Sequence, residues 1–172
     1  MKLWLLDADV IIDLLSLDLF DALVARHEVY VATTVIGEVK SYKKGEDYQI
    51  INFRAEYIDT NKVKEKSATI EEIDTEVFSK LPPIWRQTLH VGELESLAIL
   101  KTEEDFTICS CDAATIRALP FVDASERGIS VESLIRTSGL KTVTLDAKHT
   151  DGYFKTNLEQ GKTRWIQNFG TC

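Results

Sequence analysis

The sequence predicts an α/β layered domain built on a mostly parallel sheet. Three observations lead there. Short apolar runs rich in β-formers alternate with segments whose apolar residues recur at helical spacing. Two of those runs end on an aspartate that opens the next helical segment, the punctuation of a βα unit. The chain has 172 residues, 44% of them hydrophobic and 28% charged, which suits one globular domain with a substantial core and excludes a disordered or fibrous chain.

The elements follow in order. Residues 2–6 form a short buried strand ending at Asp7, and residues 8–17 a helix directly after it. Asp18 caps a further helix to about residue 26, with Leu19, Phe20, Leu23 and Val24 at helical spacing. Residues 28–32 (EVYVA) make a second strand, and Thr33 or Thr34 caps a helix reaching about Tyr42. Residues 43–79 are polar and read as helical pieces with one short strand near Tyr57. Pro82 and Pro83 punctuate, and a helix covers about 92–102. Residues 106–111 (FTICSC) form a third strand, and 112–119 a helix that Pro120 stops. A last strand-to-helix passage runs from 121 through 129 to 137, with Gly139 as its C-cap. From Lys141 the composition turns polar and the periodicity fades. The core domain is therefore drawn over 1–140, and 141–172 as a C-terminal appendage packed on the core or extending it.

Charge and cysteine usage bound the function. Lys and Arg number 20 and Asp and Glu 28, a net charge of −8, which argues against a protein whose whole surface binds nucleic acid or anionic membrane. The apolar N-terminus (Leu3, Trp4, Leu5, Leu6) is interrupted at once by Asp7, Asp9 and Asp13, and no apolar run of about 18 residues exists to span a membrane. Three cysteines, Cys109, Cys111 and Cys172, are an odd count without framework spacing, so a reduced, cytoplasmic protein with core thiols is expected. His27, His90 and His149 lack the paired spacing of a zinc site.

The acids are informative by position. Asp7 and Asp112 each stand where a strand ends, and in open α/β sheets the crevice outside the carboxyl ends of strands is where sites form. Glu38 lies three residues after Val35 and four before Tyr42, bordering the apolar stripe of its helix. Glu93 and Glu95 open the helix before the third strand; two residues apart on a helix they point about 200° apart, and Glu93 heads the Leu97/Leu100 stripe. Four inward carboxylates would raise one another's pKa values unless a hard divalent cation, Mg²⁺ or Mn²⁺, resolved the repulsion. Such an all-carboxylate site is suited to activating water against a phosphodiester. Asp9, Asp13, Asp18 and Asp21 read as caps and solvated faces, and Asp146 and Asp151 as surface groups.

The strings LLDADVIIDLL, VIGEVKSY, GELESLAIL and CSCDAATIRAL, in that order over residues 1–140, resemble the PIN-domain nucleases, in the branch whose third motif is Gly-Glu-x-Glu. The resemblance implies a Rossmann-like three-layer α/β/α sandwich and Mg²⁺- or Mn²⁺-dependent hydrolysis of RNA that leaves a 3′-hydroxyl and a 5′-phosphate. It also implies a role as the toxin of a toxin–antitoxin pair. Matched residue by residue, it implies Asp7, Glu38, Glu93 and Asp112 as the catalytic, metal-binding acids, Glu95 as the rival or helper in the third motif, and Ser110 as a supporting hydroxyl. Residues 141–172 lie outside the resemblance.

Nucleic acid needs cations near those acids. Lys40, Lys43 and Lys44 follow Glu38, and Arg117 follows Asp112 by five residues; these are the expected RNA-binding groups. Lys62, Lys64 and Lys66 alternate, and the tail mixes Lys148, Lys155, Lys162 and Arg164 with Tyr153, Phe154 and Trp165. Expected partners are RNA, an antitoxin protein and a second copy of the chain as a homodimer, with no membrane. Two rival classes stand beside the ribonuclease: a non-catalytic PIN-like module that binds RNA or protein, and a metal-dependent phosphatase, which Asp7-Ala8-Asp9 superficially fits.

Overall fold

The computed structural model describes residues 3–169, and the side chains of 3–168. Strand β1 (Leu3–Leu6) leads into α1 (Ala8–Ser16) and α2 (Phe20–Val24). Next come β2 (Glu28–Ala32), α3 (Thr33–Glu38), and an antiparallel hairpin of β3 (Ser41–Lys44) and β4 (Asp47–Ile50). A π-helical turn (Arg54–Ile58) precedes β5 (Lys64–Lys66). The short α4 (Ile70–Glu72) continues into a second π-helical turn (Ile73–Phe78). Then follow α5 (Pro83–Arg86), α6 (Val91–Thr102), β6 (Phe106–Cys109), α7 (Ala113–Ala118), β7 (Gly128–Ile129), α8 (Val131–Thr137) and α9 (Asp151–Phe169).

Five parallel strands make the central sheet in the order β5-β2-β1-β6-β7. The chain therefore builds outward from β1 in one direction, then returns to build outward in the other. Right-handed crossovers put α1 and α2 on one face of such a sheet and α6 and α7 on the other, the arrangement of a Rossmann-like α/β/α sandwich. The switch point lies between β1 and β6, whose registers pair Leu3 with Phe106 through Leu6 with Cys109. Trp4, Leu5, Leu6, Val29, Val31 and Ile108 fill the centre, and the continuous apolar character of these strands follows from burial on both faces. No helix among the described residues is long and apolar enough to cross a membrane.

Four details differ from the sequence reading. The helix expected to reach Tyr42 stops at Glu38, because residues 41–44 pair with 47–50 across a two-residue turn whose Gly45 (φ +64°) supplies the left-handed conformation such hairpins need. Tyr57 sits in a π-helical turn instead of a strand, buried against Phe20 and stacked on Phe53 at 5.1 Å. The strand of that region is β5, an edge strand whose Lys64 pairs with Glu28 at 2.9 Å and whose Lys66 pairs with Glu103. Its charges guard a sheet edge. Residues 151–169 form one long helix, although its sequence carries only a weak apolar stripe. That stripe (Phe154, Asn157, Gly161) is buried, and a Cβ at Gly161 would collide with the Arg117 carbonyl and stand 2.9 Å from its Cα. Cys109 and Cys111 are buried free thiols; Cys172 lies outside the described residues.

Candidate active site

Asp7 follows the last residue of β1 in extended conformation (φ −81°, ψ 158°) and caps α1, its Oδ1 accepting from Ala8 N at 2.8 Å. Asp112 plays the same part after β6: its Oδ1 accepts from Thr115 N at 2.8 Å and caps α7. An aspartate capping the helix that leaves a strand keeps a second oxygen for other work. Ser110 joins the two. Its hydroxyl donates to Asp7 Oδ2 at 3.1 Å and accepts from Asp112 N at 3.1 Å, with Asp7 and Ser110 both buried. The two aspartates thus flank the switch point of the sheet.

Glu93 stands in the first turn of α6, where its Oε2 accepts from His90 N at 2.7 Å. Burial pushes its carboxyl up to about 8, the His90 amide opposes that rise, and the charges of Asp112, Asp7 and Glu38 add to it. Asp7 is pushed up to about 6, first by burial, against the hydrogen bonds from Ala8 and Ser110, with Asp9 and Asp112 adding. Glu38, the last residue of α3, reaches the same place from the other side: a Cβ on Gly92 would stand 2.8 Å from Glu38 Oε1. The bare α carbon of Gly92 leaves the room in which that carboxylate lies.

Glu93 therefore feels the charges of Asp7, Glu38 and Asp112, and Asp7 feels that of Asp112. Glu95 does not join them. It is 5% exposed and fully engaged elsewhere, accepting from Thr34 N at 2.9 Å, from the Thr34 hydroxyl, and from Ala68 N at 3.3 Å. Of the third-motif pair, Glu93 faces the acids and Glu95 ties α6 to α3 and to the loop after β5. The Glu95 carboxylate, expected as the rival or helper in the third motif, is thus the one held by Thr34 and Ala68.

The cations expected to bind RNA are scattered. Lys44 Nζ pairs with Asp18 at 3.1 Å, and Lys43 sits beside it on the hairpin, its backbone N donating to Ser16 Oγ. Lys40 lines a separate cleft with Thr33, Gly37, Asn52 and Arg54. Arg117 is half-buried where α9 crosses α7, its Nε shielded from solvent. None of these placements sets a cation directly on the acidic cluster.

Lys148 and His149, in the turn just before α9, meet Asp13 on α1, and His149 also lies near Cys111 in the loop after β6. Lys148 Nζ and His149 Nε2 each stand 2.7 Å from Asp13 Oδ2, on α1. Donor atoms of Asp13, Cys111 and His149 lie within 4.8 Å of one another. Burial alone would raise Asp13, but the hydrogen bonds from His149 and Lys148 outweigh it and hold the carboxyl below its usual range. Burial pushes the Cys111 thiol up to about 12. Asp13 and Asp151 are hydrogen-bond hubs and not the solvated groups their sequence positions suggest, Asp151 Oδ1 accepting from Ser130 and Ser133 and Oδ2 facing Arg136 at 3.1 Å. Histidine spacing carries no signal for His149, because its bonded partner Asp13 lies 136 residues away in sequence.

A set of four carboxylates, two of them with raised proton affinity, suits a hard divalent cation held by oxygen and retaining waters. No family model matches this chain, and neither does any curated protein or solved structure.

Proposed function

We propose that this chain is a divalent-metal-dependent nuclease that hydrolyses phosphodiester bonds of RNA, with Asp7, Glu38, Glu93 and Asp112 as the metal-holding acids. The observation that carries the reading is the placing of Asp7 and Asp112 at adjacent strand ends, where Ser110 bonds the Asp7 carboxylate and the Asp112 backbone N, with Glu93 close enough to feel the charges of Asp7, Asp112 and Glu38. A bound Mg²⁺ or Mn²⁺ would supply a water of lowered pKa and neutralise charge on the phosphodiester. The protein's part is to hold the donors. Ser110 fixes one oxygen of Asp7, Ala8 N fixes the other, and Thr115 N orients Asp112, so both aspartates are set before any ligand arrives. His90 N steers Glu93, and Gly92 admits Glu38.

RNA as the substrate, an antitoxin partner, a homodimer and a cytoplasmic setting rest on the resemblance to PIN-domain nucleases and on the composition. The test is cleavage of a labelled single-stranded RNA. Mg²⁺ or Mn²⁺ should support cutting, while EDTA, Asp7→Asn and Asp112→Asn abolish it. Undiminished cutting by both variants would overturn the assignment.

A phosphatase reading has one observation in its favour: the Asp9 carboxylate lies close enough to Asp7 to help raise it. It predicts turnover of small phosphomonoesters without RNA cleavage. A non-catalytic binding module predicts no Mn²⁺ uptake at millimolar metal.

A further inference from the structure

We propose that His149 is a positioning residue for the acidic site, holding the loop after β6 against α1 so that Asp112 and Asp7 keep the separation a shared cation requires. The inference rests on the metal-dependent reading above. It places the segment before α9, outside the stretch that resembles the nucleases, in the working part of the molecule.

The His149 ring is 3% exposed. Its Nε2 stands 2.7 Å from Asp13 Oδ2, and Asp13 lies six residues along the same helix that Asp7 caps, about 9 Å at 1.5 Å per residue. The ring also approaches Cys111, whose chain neighbours are Ser110 and Asp112. One imidazole is thus bonded to α1 through Nε2 and packs within 4.8 Å of the Cys111 thiol, while its Nδ1 is buried without a hydrogen-bond partner, so it touches the β6 loop by packing alone.

A strap positions only if its own base is firm. Asp151, two residues on, is held by Ser133 Oγ at 2.6 Å, by Ser130 and by Arg136, and its backbone N donates to Glu132 Oε2 at 2.7 Å. These partners fix the start of α9 to α8, and α9 lies along α7, the helix that Asp112 caps. Lys148 adds its ammonium to the same Asp13 oxygen at 2.7 Å.

The trio of Asp13, Cys111 and His149 would also offer O, S and N donors to a softer divalent ion. The Asp13 oxygen, however, already carries an ammonium and an imidazole, so a charge-satisfied clasp is the reading the contacts favour. Metal capture at the trio is an outcome of the test.

The experiment is a calorimetric Mn²⁺ titration of wild type, His149→Ala, His149→Gln and Asp13→Asn well below their melting temperatures, with circular dichroism to verify folding. His149→Ala should weaken Mn²⁺ binding roughly tenfold or more, the range of supporting groups around metal ligands. His149→Gln, which can still donate to Asp13, should recover most of it. In the RNA assay kcat should fall while KM holds. If His149→Ala does not fold, Asp13→Asn carries the same comparison: weakened Mn²⁺ binding supports the clasp, unchanged binding overturns it. Wild-type affinity in a folded His149→Ala overturns the positioning role and leaves the acidic site standing. Absence of Mn²⁺ binding in the wild type removes the acidic site and this inference with it. A thiolate charge-transfer band on adding Co²⁺, lost in Cys111→Ser, would make the trio a metal site of its own and overturn the clasp.

Discussion

The Ser110 hydroxyl donates to Asp7 Oδ2 at 3.1 Å, across 103 residues of chain and between the ends of adjacent parallel strands. Because Ser110 Oγ also accepts from the Asp112 backbone N, one small side chain ties the Asp7 carboxylate to the start of α7. Ser110→Ala would leave Asp7 Oδ2 and the Asp112 amide without this partner in a buried place, at a cost of about 1–3 kcal/mol. It also removes a bond that lowers the Asp7 pKa, so Asp7 should take up its proton at still higher pH. Denaturant unfolding checks the first effect. Mn²⁺ titrations across pH 5–8 check the second, which requires the acid limb of binding to move upward.

The raised carboxyls make the metal-free protein sensitive to base. Asp7 titrates near 6 and Glu93 near 8 in the folded chain, above their ordinary values of 3.8 and 4.5. The native state therefore binds more protons than the unfolded one between those values, and stability falls as pH rises through the folded pKa values. For Asp7 the loss amounts to about 3 kcal/mol at most. Metal-free protein should melt at a higher temperature at pH 5 than at pH 8.5, and Mg²⁺ or Mn²⁺ should restore the difference at pH 8.5. Glu93→Gln should raise the metal-free melting temperature at pH 8.5 while reducing Mn²⁺ binding. A flat pH profile would contradict the assignment.

Glu95 and Glu93 should separate cleanly. Removing Glu95 strands Thr34 N, the Thr34 hydroxyl and Ala68 N at a 5% exposed position, so Glu95→Ala should cost about 2–4 kcal/mol. Glu93→Ala should cost far less and abolish Mn²⁺ binding. Urea melts and calorimetry on the same two variants decide it.

Gly92→Ala tests Glu38. The added Cβ would stand 2.8 Å from Glu38 Oε1 and 3.3 Å from Val35 Cγ2, so the carboxylate must swing away. A flexible side chain yields cheaply, so the melting temperature should change by a few degrees at most, near the effect of about 1 kcal/mol. Mn²⁺ affinity should drop about tenfold or more. Unchanged affinity would place Glu38 outside the metal site.

Much of the molecule is legible in its residues because the determining interactions are local. The apolar runs of β1, β2 and β6 are continuous because parallel strands are buried on both faces, and Asp7, Asp112 and Ser130 cap the helices that follow within three residues. From these the α/β class and two of the acids at strand ends follow. Helix geometry alone favoured Glu93 over Glu95. What periodicity could not read was the stretch between β2 and α6, where a lysine-rich edge strand and π-helical turns carry little apolar pattern of their own.

The tertiary structure decided the rest. Strand order sets Asp7 beside Asp112, and no local signal encodes that order. Glu95 is committed by Thr34, 61 residues away, a partner that only the packing of α6 against α3 supplies. Residues 151–169 become a helix because Gly161 packs on Arg117 of α7 and Phe154 is buried against Gly128 of β7, burial compensating for a sequence that is polar for most of its length. His149 meets Asp13 for the same reason. Caps and strands are chosen by neighbours in sequence, but the nearness of Asp7, Asp112 and Glu93 and the contact of His149 with Asp13 are chosen by which surfaces are buried together.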